Sequence, residues 1–134
     1  MAAVKSSNTK PEVFVRKLLF SLGYRFRLHP KKLPGKPDIV LPKYKSVIFV
    51  NGCFWHQHKG CKDSHYPKSK TDYWIPKLQK NVERDKFNYK NLSSLGYNRL
   101  IIWECELKIK KGLLFNASEI ANKIFKFIEK YEKV

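Results

Sequence analysis

The stretch Asp38-Ile39-Val40-Leu41-Pro42-Lys43-Tyr44-Lys45-Ser46-Val47-Ile48-Phe49-Val50 holds two unbroken apolar runs joined by a Pro-Lys-Tyr-Lys turn. A strand with one wet face alternates apolar and polar residues, so continuous β-branched runs indicate strands buried on both faces. Upstream, Thr9 reads as a helix cap, with Pro11 in the first turn and Glu12 as the acid of a capping box. Phe14, Val15, Leu18, Leu19 and Leu22 then recur at helical spacing until Gly23. Residues 24–28 read as a short strand and residues 31–37 as a loop. Downstream, an irregular stretch from 51 to 71 leads into a long helix over 73–95 that Gly96 closes. Its apolar seam of Leu78, Val82, Tyr89 and Leu92 passes through Asp85. Arg99-Leu100-Ile101-Ile102-Trp103 is a further core strand. After a Lys-rich turn, Asn116-Ala117-Ser118-Glu119 opens a final amphipathic helix over about 117–132, with Ile120, Ile124, Phe127, Ile128 and Tyr131 on its apolar face. The order α-β-β-β-α-β-α predicts an α/β fold with helices flanking a mixed central sheet. At 134 residues the chain is expected to form one domain spanning 1–134.

Charge narrows the partners. Lys and Arg number 28 against 11 acids, a net charge of +17 that points to a polyanion. Twenty-three of the 28 are lysine, which favours diffuse attraction to phosphate over bidentate reading of bases. No apolar run approaches the ~20 residues that span a bilayer, so no membrane role is expected. The first ten residues lack an apolar signal segment, and three cysteines cannot all pair with one another. Reduced thiols or metal ligands in the cytosol are the expectation.

Chemistry concentrates in Cys53-Phe54-Trp55-His56-Gln57-His58-Lys59-Gly60-Cys61, with Cys105 far along the chain at the end of a core strand. Structural zinc needs four tetrahedral ligands, often two or three from one tight loop and the rest from a distant element. Cys53, Cys61, Cys105 and one imidazole make such a set. His58 lies within the Cys53–Cys61 loop and leaves His56 free for proton transfer; the reverse assignment is the alternative. Asp38, at the entrance to a buried strand, suits either a Mg²⁺ ligand or an ordinary turn. Asp85 on an apolar seam calls for a partner, either His56 or a basic residue. Phe54, Trp55 and Trp74 are core residues by default. Phe54 and Trp55 are adjacent, however, and in extended chain would point to opposite sides, which leaves one of them available as a wedge into a base step. His29 and His65 read as surface residues.

Taken together, several segments resemble the very short patch repair (Vsr) endonuclease family of bacteria. They are Asn8-Thr9-Lys10-Pro11-Glu12, Leu33-Pro34-Gly35-Lys36-Pro37-Asp38, Val47-Ile48-Phe49-Val50-Asn51-Gly52-Cys53-Phe54-Trp55-His56, Lys80-Asn81-Val82-Glu83-Arg84-Asp85 and Trp103-Glu104-Cys105. The resemblance covers about residues 1–108. It implies a restriction-endonuclease-like core and a monomeric enzyme of the bacterial cytoplasm and nucleoid. That enzyme nicks double-stranded DNA beside a thymine mispaired with guanine. Carried onto this chain, the resemblance implies that Asp38 and the main-chain carbonyl of Val50 hold catalytic Mg²⁺. His56 is the implied general acid/base, supported by Asp85 and Glu12. Cys53, His58, Cys61 and Cys105 hold structural Zn²⁺ in this reading. Phe54, Trp55 and Trp74 intercalate beside the mismatch, Lys77 and Asn81 read or position it, and Met1 approaches the DNA.

The sequence departs from these patterns in three places. Val50-Asn51-Gly52 lacks the acid and lysine usual on this strand in nucleases of the fold, a gap the family shares. Asn51 stands where a histidine is often found, and one extra residue separates His58 from Cys61. Two other readings compete with the enzyme: a catalytically inactive zinc-stabilised DNA-binding module, and a restriction or homing-type endonuclease on the same core.

Overall fold

The computed structural model describes residues 9–131. Helix α1 (Lys10–Ser21) begins where the Thr9 hydroxyl accepts the Glu12 N–H at 3.4 Å, one of the four orphan donors of a helix start. Four strands follow the expected order: β1 (Arg27–Leu28), β2 (Ile39–Leu41), β3 (Ser46–Asn51) and, after the 24-residue helix α2 (Thr71–Ser94), β4 (Asn98–Trp103). They lie side by side as β1-β2-β3-β4. The first three pair antiparallel, and β3 and β4 run parallel from Ser46↔Asn98 to Asn51↔Trp103. The sheet is therefore mixed, with α2 as the crossover that a parallel pair requires.

Both faces are covered, as the unbroken apolar runs demand. Ile39, Leu41, Ile48 and Ile102 pack with Val15 and Leu19 of α1 and with Ile120, Ile124 and Ile128 of α3 (Ala117–Tyr131). Val40, Val47 and Phe49 turn the opposite way and meet Leu92 and Tyr89 of α2. Each such aliphatic side chain contributes roughly 1.5–3 kcal/mol when fully buried. This period of two places Asn51, at the end of β3, on the α2 side, where its Nδ2 donates to Tyr89 Oη at 3.1 Å.

Three local expectations change. The strand over 24–28 shrinks to Arg27–Leu28, because Tyr24 leaves the ladder to pack against the rings of Tyr44 (6.1 Å) and Phe125 (6.0 Å). The Lys-rich turn is a hairpin of β5 (Ile109–Lys110) and β6 (Leu113–Leu114). Its two-residue turn, Lys111 at φ 49° and Gly112 at φ 73°, has the left-handed conformation that matches strand twist. Asn116, expected to cap α3 in a box with Glu119, turns its side chain to the hairpin and to the Glu119 carboxylate: it accepts from Lys108 N and donates to Glu106 O and Glu119 Oε2.

Candidate active site

Helix α2 positions most of the site. Trp74, Leu78, Asn81, Asp85 and Tyr89 recur at three- or four-residue spacing and share one face. That face runs along the end of β3 and the loop beyond it. Tyr89 meets Asn51, Asp85 meets His56, Asn81 meets Trp55 and Trp74 meets Phe54 and Trp55. The seam through Asp85 is thus polar where it faces the loop. Asp85 Oδ2 lies 2.7 Å from His56 Nδ1, with both side chains partly exposed. A carboxylate on Nδ1 fixes the proton of the neutral ring there and leaves Nε2 as the working nitrogen.

Phe54 and Trp55 differ from the extended-chain expectation. Their segment is a succession of turns, closed by His56 N–H to Gly52 O at 3.2 Å and Gln57 N–H to Phe54 O at 3.3 Å. The two rings consequently lie on the same side, 5.3 Å apart edge-to-face. Trp74 stands 5.5 Å from Phe54 and 5.7 Å from Trp55, and all three are half-buried. Tyr73 extends this cluster, 5.0 Å from Trp74 and 55% exposed. Lys77 Nζ donates to Tyr73 Oη at 3.1 Å and sits over the Trp55 ring at 5.7 Å. Asn81 Nδ2 donates to Trp55 O at 3.3 Å, so part of its donor capacity is used within the protein. Met1 lies outside the described residues.

The thiols converge. Donor atoms of Cys53, His58, Cys61 and Cys105 all lie within 4.8 Å of one another. His58 Nδ1 is 3.7 Å from Cys53 Sγ and 3.4 Å from Cys105 Sγ. Tetrahedral zinc with Zn–S of ~2.3 Å and Zn–N of ~2.05 Å requires an S···N separation of about 3.6 Å, so the donor set fits that ion. His58 therefore joins the thiols, while His56 turns to Asp85. The His58 ring stacks on Trp103 (4.1 Å, 7°), which fixes its plane. Burial above all pushes the Cys53 thiol up to about 12; a hydrogen bond from the Cys105 backbone opposes this, and the Cys105 and Cys61 side chains raise it further. A cation bound by the four donors would favour the thiolate in such a place.

Asp38 sits just before β2. Its Oδ2 accepts the Val50 N–H at 2.7 Å and its main-chain carbonyl accepts the His29 N–H at 3.0 Å. The loop before it is held by contact. Gly35, at φ +78°, presses on α2 so closely that a Cβ would stand 3.0 Å from Asn88 Cβ. Burial drives the Asp38 carboxyl up to about 7 against the Val50 hydrogen bond, and the Glu12 carboxyl raises it further. Glu12, expected as the capping-box acid, is only 1% exposed, and its Oε2 lies 2.8 Å from His29 Nε2 and 3.5 Å from Arg16 Nη1. His29, expected on the open surface, is instead half-buried in this cluster. Donor atoms of Glu12, His29 and Asp38 also lie within 4.8 Å of one another. The signal in the sequence was the pairing of the strands around 28 and 39, since one more step of that hairpin sets His29 beside Asp38.

Two carboxyl groups crowded out of water favour a cation between them. An imidazole oriented by an acid moves protons near neutrality, and a charge of +17 draws phosphates. Such a combination suits a nuclease, a hydrolase of nucleic acid. The comparisons with known proteins agree. The family model for DNA mismatch endonuclease Vsr matches residues 1–62. A Type II nicking enzyme, V.NmeAIP of Neisseria meningitidis serogroup A, is 52% identical over 110 residues, which is 82% of this chain and 78% of that protein. The DNA mismatch endonuclease Vsr of Escherichia coli K12 is 41% identical over 113 residues, 84% of this chain and 72% of its own. The Type II nicking enzyme V.HpaIIP of Haemophilus parainfluenzae is 36% identical over 102 residues, 76% of this chain and 72% of its own. The chain belongs to the Vsr family of DNA mismatch endonucleases.

Proposed function

We propose that this protein nicks one strand of double-stranded DNA beside a T:G mismatch, with Mg²⁺ at Asp38 and structural Zn²⁺ on Cys53, His58, Cys61 and Cys105. The observation that carries the reading is the 2.7 Å His56–Asp85 pair, held by α2 on the loop that continues the strand to which Asp38 is bonded. The sheet, with a carboxylate at its strand entrance and a βαβ crossover, suits a restriction-endonuclease-like core forming a single nuclease domain. Bound at Asp38, with the Val50 carbonyl and Glu12 beside it, Mg²⁺ would neutralise charge on the scissile phosphate and acidify a water molecule.

The chain's own residues do the rest. His56 Nε2, with Nδ1 held by Asp85, takes a proton from the attacking water and returns one to the leaving oxygen. The wedge of Phe54, Trp55 and Trp74 enters the base stack. A mismatched step is cheaper to unstack than a paired one, so the deformation itself selects the site. Lys77 and Asn81, one and two turns along α2 from Trp74, line the approach to the displaced bases. The Cys₃His site has four protein ligands and no open position, so it holds the catalytic loop in shape rather than reacting. The enzyme acts as a monomer in the cytoplasm. Among the described residues no helix is long and apolar enough to cross a membrane.

Nicking of end-labelled T:G, T:A and C:G duplexes, with Mg²⁺ or with EDTA, tests the reading. Cleavage of the T:G duplex alone, and only with Mg²⁺, is the expected result. Equal cleavage of all three would assign a restriction or homing-type activity. Binding without cleavage, unaffected by Asp38→Ala, would assign an inactive DNA-binding module.

A further inference from the structure

We propose that His29 is a third protein ligand of the divalent ion at Asp38 and Glu12, giving a mixed oxygen–nitrogen site that binds Mn²⁺ more tightly than Mg²⁺. The inference rests on the metal reading above and adds to it a residue and a metal preference. Neighbouring ligands on an octahedral ion at ~2.1 Å stand about 3.0 Å apart, and opposite ones about 4.2 Å. His29 Nε2 is 2.8 Å from Glu12 Oε2, the spacing of neighbouring ligands, and donor atoms of all three residues fall within 4.8 Å of one another, so a contraction of a few tenths of an ångström brings them onto one ion.

The fold also places the imidazole there by design of its backbone. β1 and β2 pair through Leu28↔Ile39, and the His29 N–H to Asp38 O bond continues the ladder one step, making His29 and Asp38 cross-strand neighbours. His29 holds a left-handed φ of 48° directly before Pro30, a combination that costs free energy and needs support from its surroundings. Its side chain remains 33% exposed, so an ion and its remaining waters can reach Nε2, while Glu12 at 1% cannot turn away to solvent. Imidazole nitrogen favours the later first-row metals, whereas Mg²⁺ favours oxygen alone. A His–Glu contact that is only an ion pair would leave the bound ion with oxygen ligands alone and no directly coupled nitrogen.

Direct metal binding by the zinc-loaded protein separates these roles. Titration with Mn²⁺ followed by electron paramagnetic resonance, with Mg²⁺ as competitor, is expected to give the tighter affinity for Mn²⁺. Electron spin-echo modulation of bound Mn²⁺ should carry a ¹⁴N coupling that persists in His56→Gln and vanishes in His29→Gln. His29→Gln and His29→Lys should each lose at least the roughly tenfold in Mn²⁺ affinity that removing even an outer-shell partner costs. The lysine variant keeps a cation beside Glu12 and so tests ligation apart from charge. Absence of the ¹⁴N coupling in the wild-type protein would overturn the assignment without reference to any variant. Asp38→Ala should abolish Mn²⁺ binding; if it does not, the metal site itself is misplaced, whereas its loss together with a missing ¹⁴N coupling would remove His29 alone.

Discussion

Replacing Asp38 by Asn should stabilise the metal-free protein while removing its activity, and the size of the gain follows from the site. An unfolded aspartate releases its proton near 3.8; folded, Asp38 holds it to about 7, chiefly because the carboxyl is buried. Between those values the folded state binds more protons than the unfolded one. The stability that the protonated group contributes is therefore fully present below about 3.8, declines as pH rises, and is gone above about 7. At 1.36 kcal/mol per unit, the loss at pH 8 amounts to about 4 kcal/mol. Asn keeps an oxygen for the Val50 N–H and carries no charge, so Asp38→Asn escapes this loss. Urea unfolding of both proteins without added divalent ions, from pH 4.5 to 8.5, is the assay. Their difference should be small at the acid end, grow to a few kcal/mol in favour of Asn, and level off above pH 7. Millimolar Mg²⁺ should recover stability for the wild type only. A difference that stays constant across the range would refute the reasoning, because a lost contact has no reason to follow this titration.

Other substitutions separate the parts of the site. Cys105→Ser should lose zinc, read by elemental analysis, together with thermal stability, since metal binding here is folding free energy. Asp85→Asn should leave His56 in place but without its proton-orienting acid, lowering the single-turnover nicking rate by about 10²–10⁴ with little change in DNA affinity. Trp55→Ala should remove stacking of roughly 1–3 kcal/mol and reduce T:G over T:A discrimination about tenfold, as read by competitive nicking. Lys77→Ala should weaken binding to matched and mismatched duplexes alike and flatten the salt dependence, as measured by fluorescence anisotropy. Gly35→Ala, at φ +78° and 3.0 Å from Asn88, should destabilise the loop that carries Asp38 and lower the melting temperature.

The parts of the fold that the sequence revealed were those whose burial is complete. Ile39–Leu41 and Val47–Phe49 read as inner strands because no polar residue interrupts them, and α2 because its apolar period runs on for several turns up to Gly96. The β5–β6 hairpin was not legible: two residues per strand in a lysine-rich segment carry no periodicity. In the site, the cysteine and histidine set could be read from its spacing, since thiols beside imidazoles have few other uses. His29 was missed because its place beside Asp38 and Glu12 comes from the register of the β1–β2 hairpin, a weaker signal than a motif. The same holds for the Phe54–Trp55 pair, where a run of turns overrode the alternation expected of extended chain. Asn51 is a further case. It stands where a histidine is often found, and no motif announced its partner; it is buried against Tyr89.

The most direct test of the account is the single-turnover nicking rate on one T:G duplex for the wild-type protein and for His56→Ala, both zinc-loaded and with Mg²⁺. Loss of the rate by about 10² or more, with zinc content and duplex affinity unchanged, is the outcome the His56–Asp85 geometry predicts. Nicking by His56→Ala at the wild-type rate would contradict it.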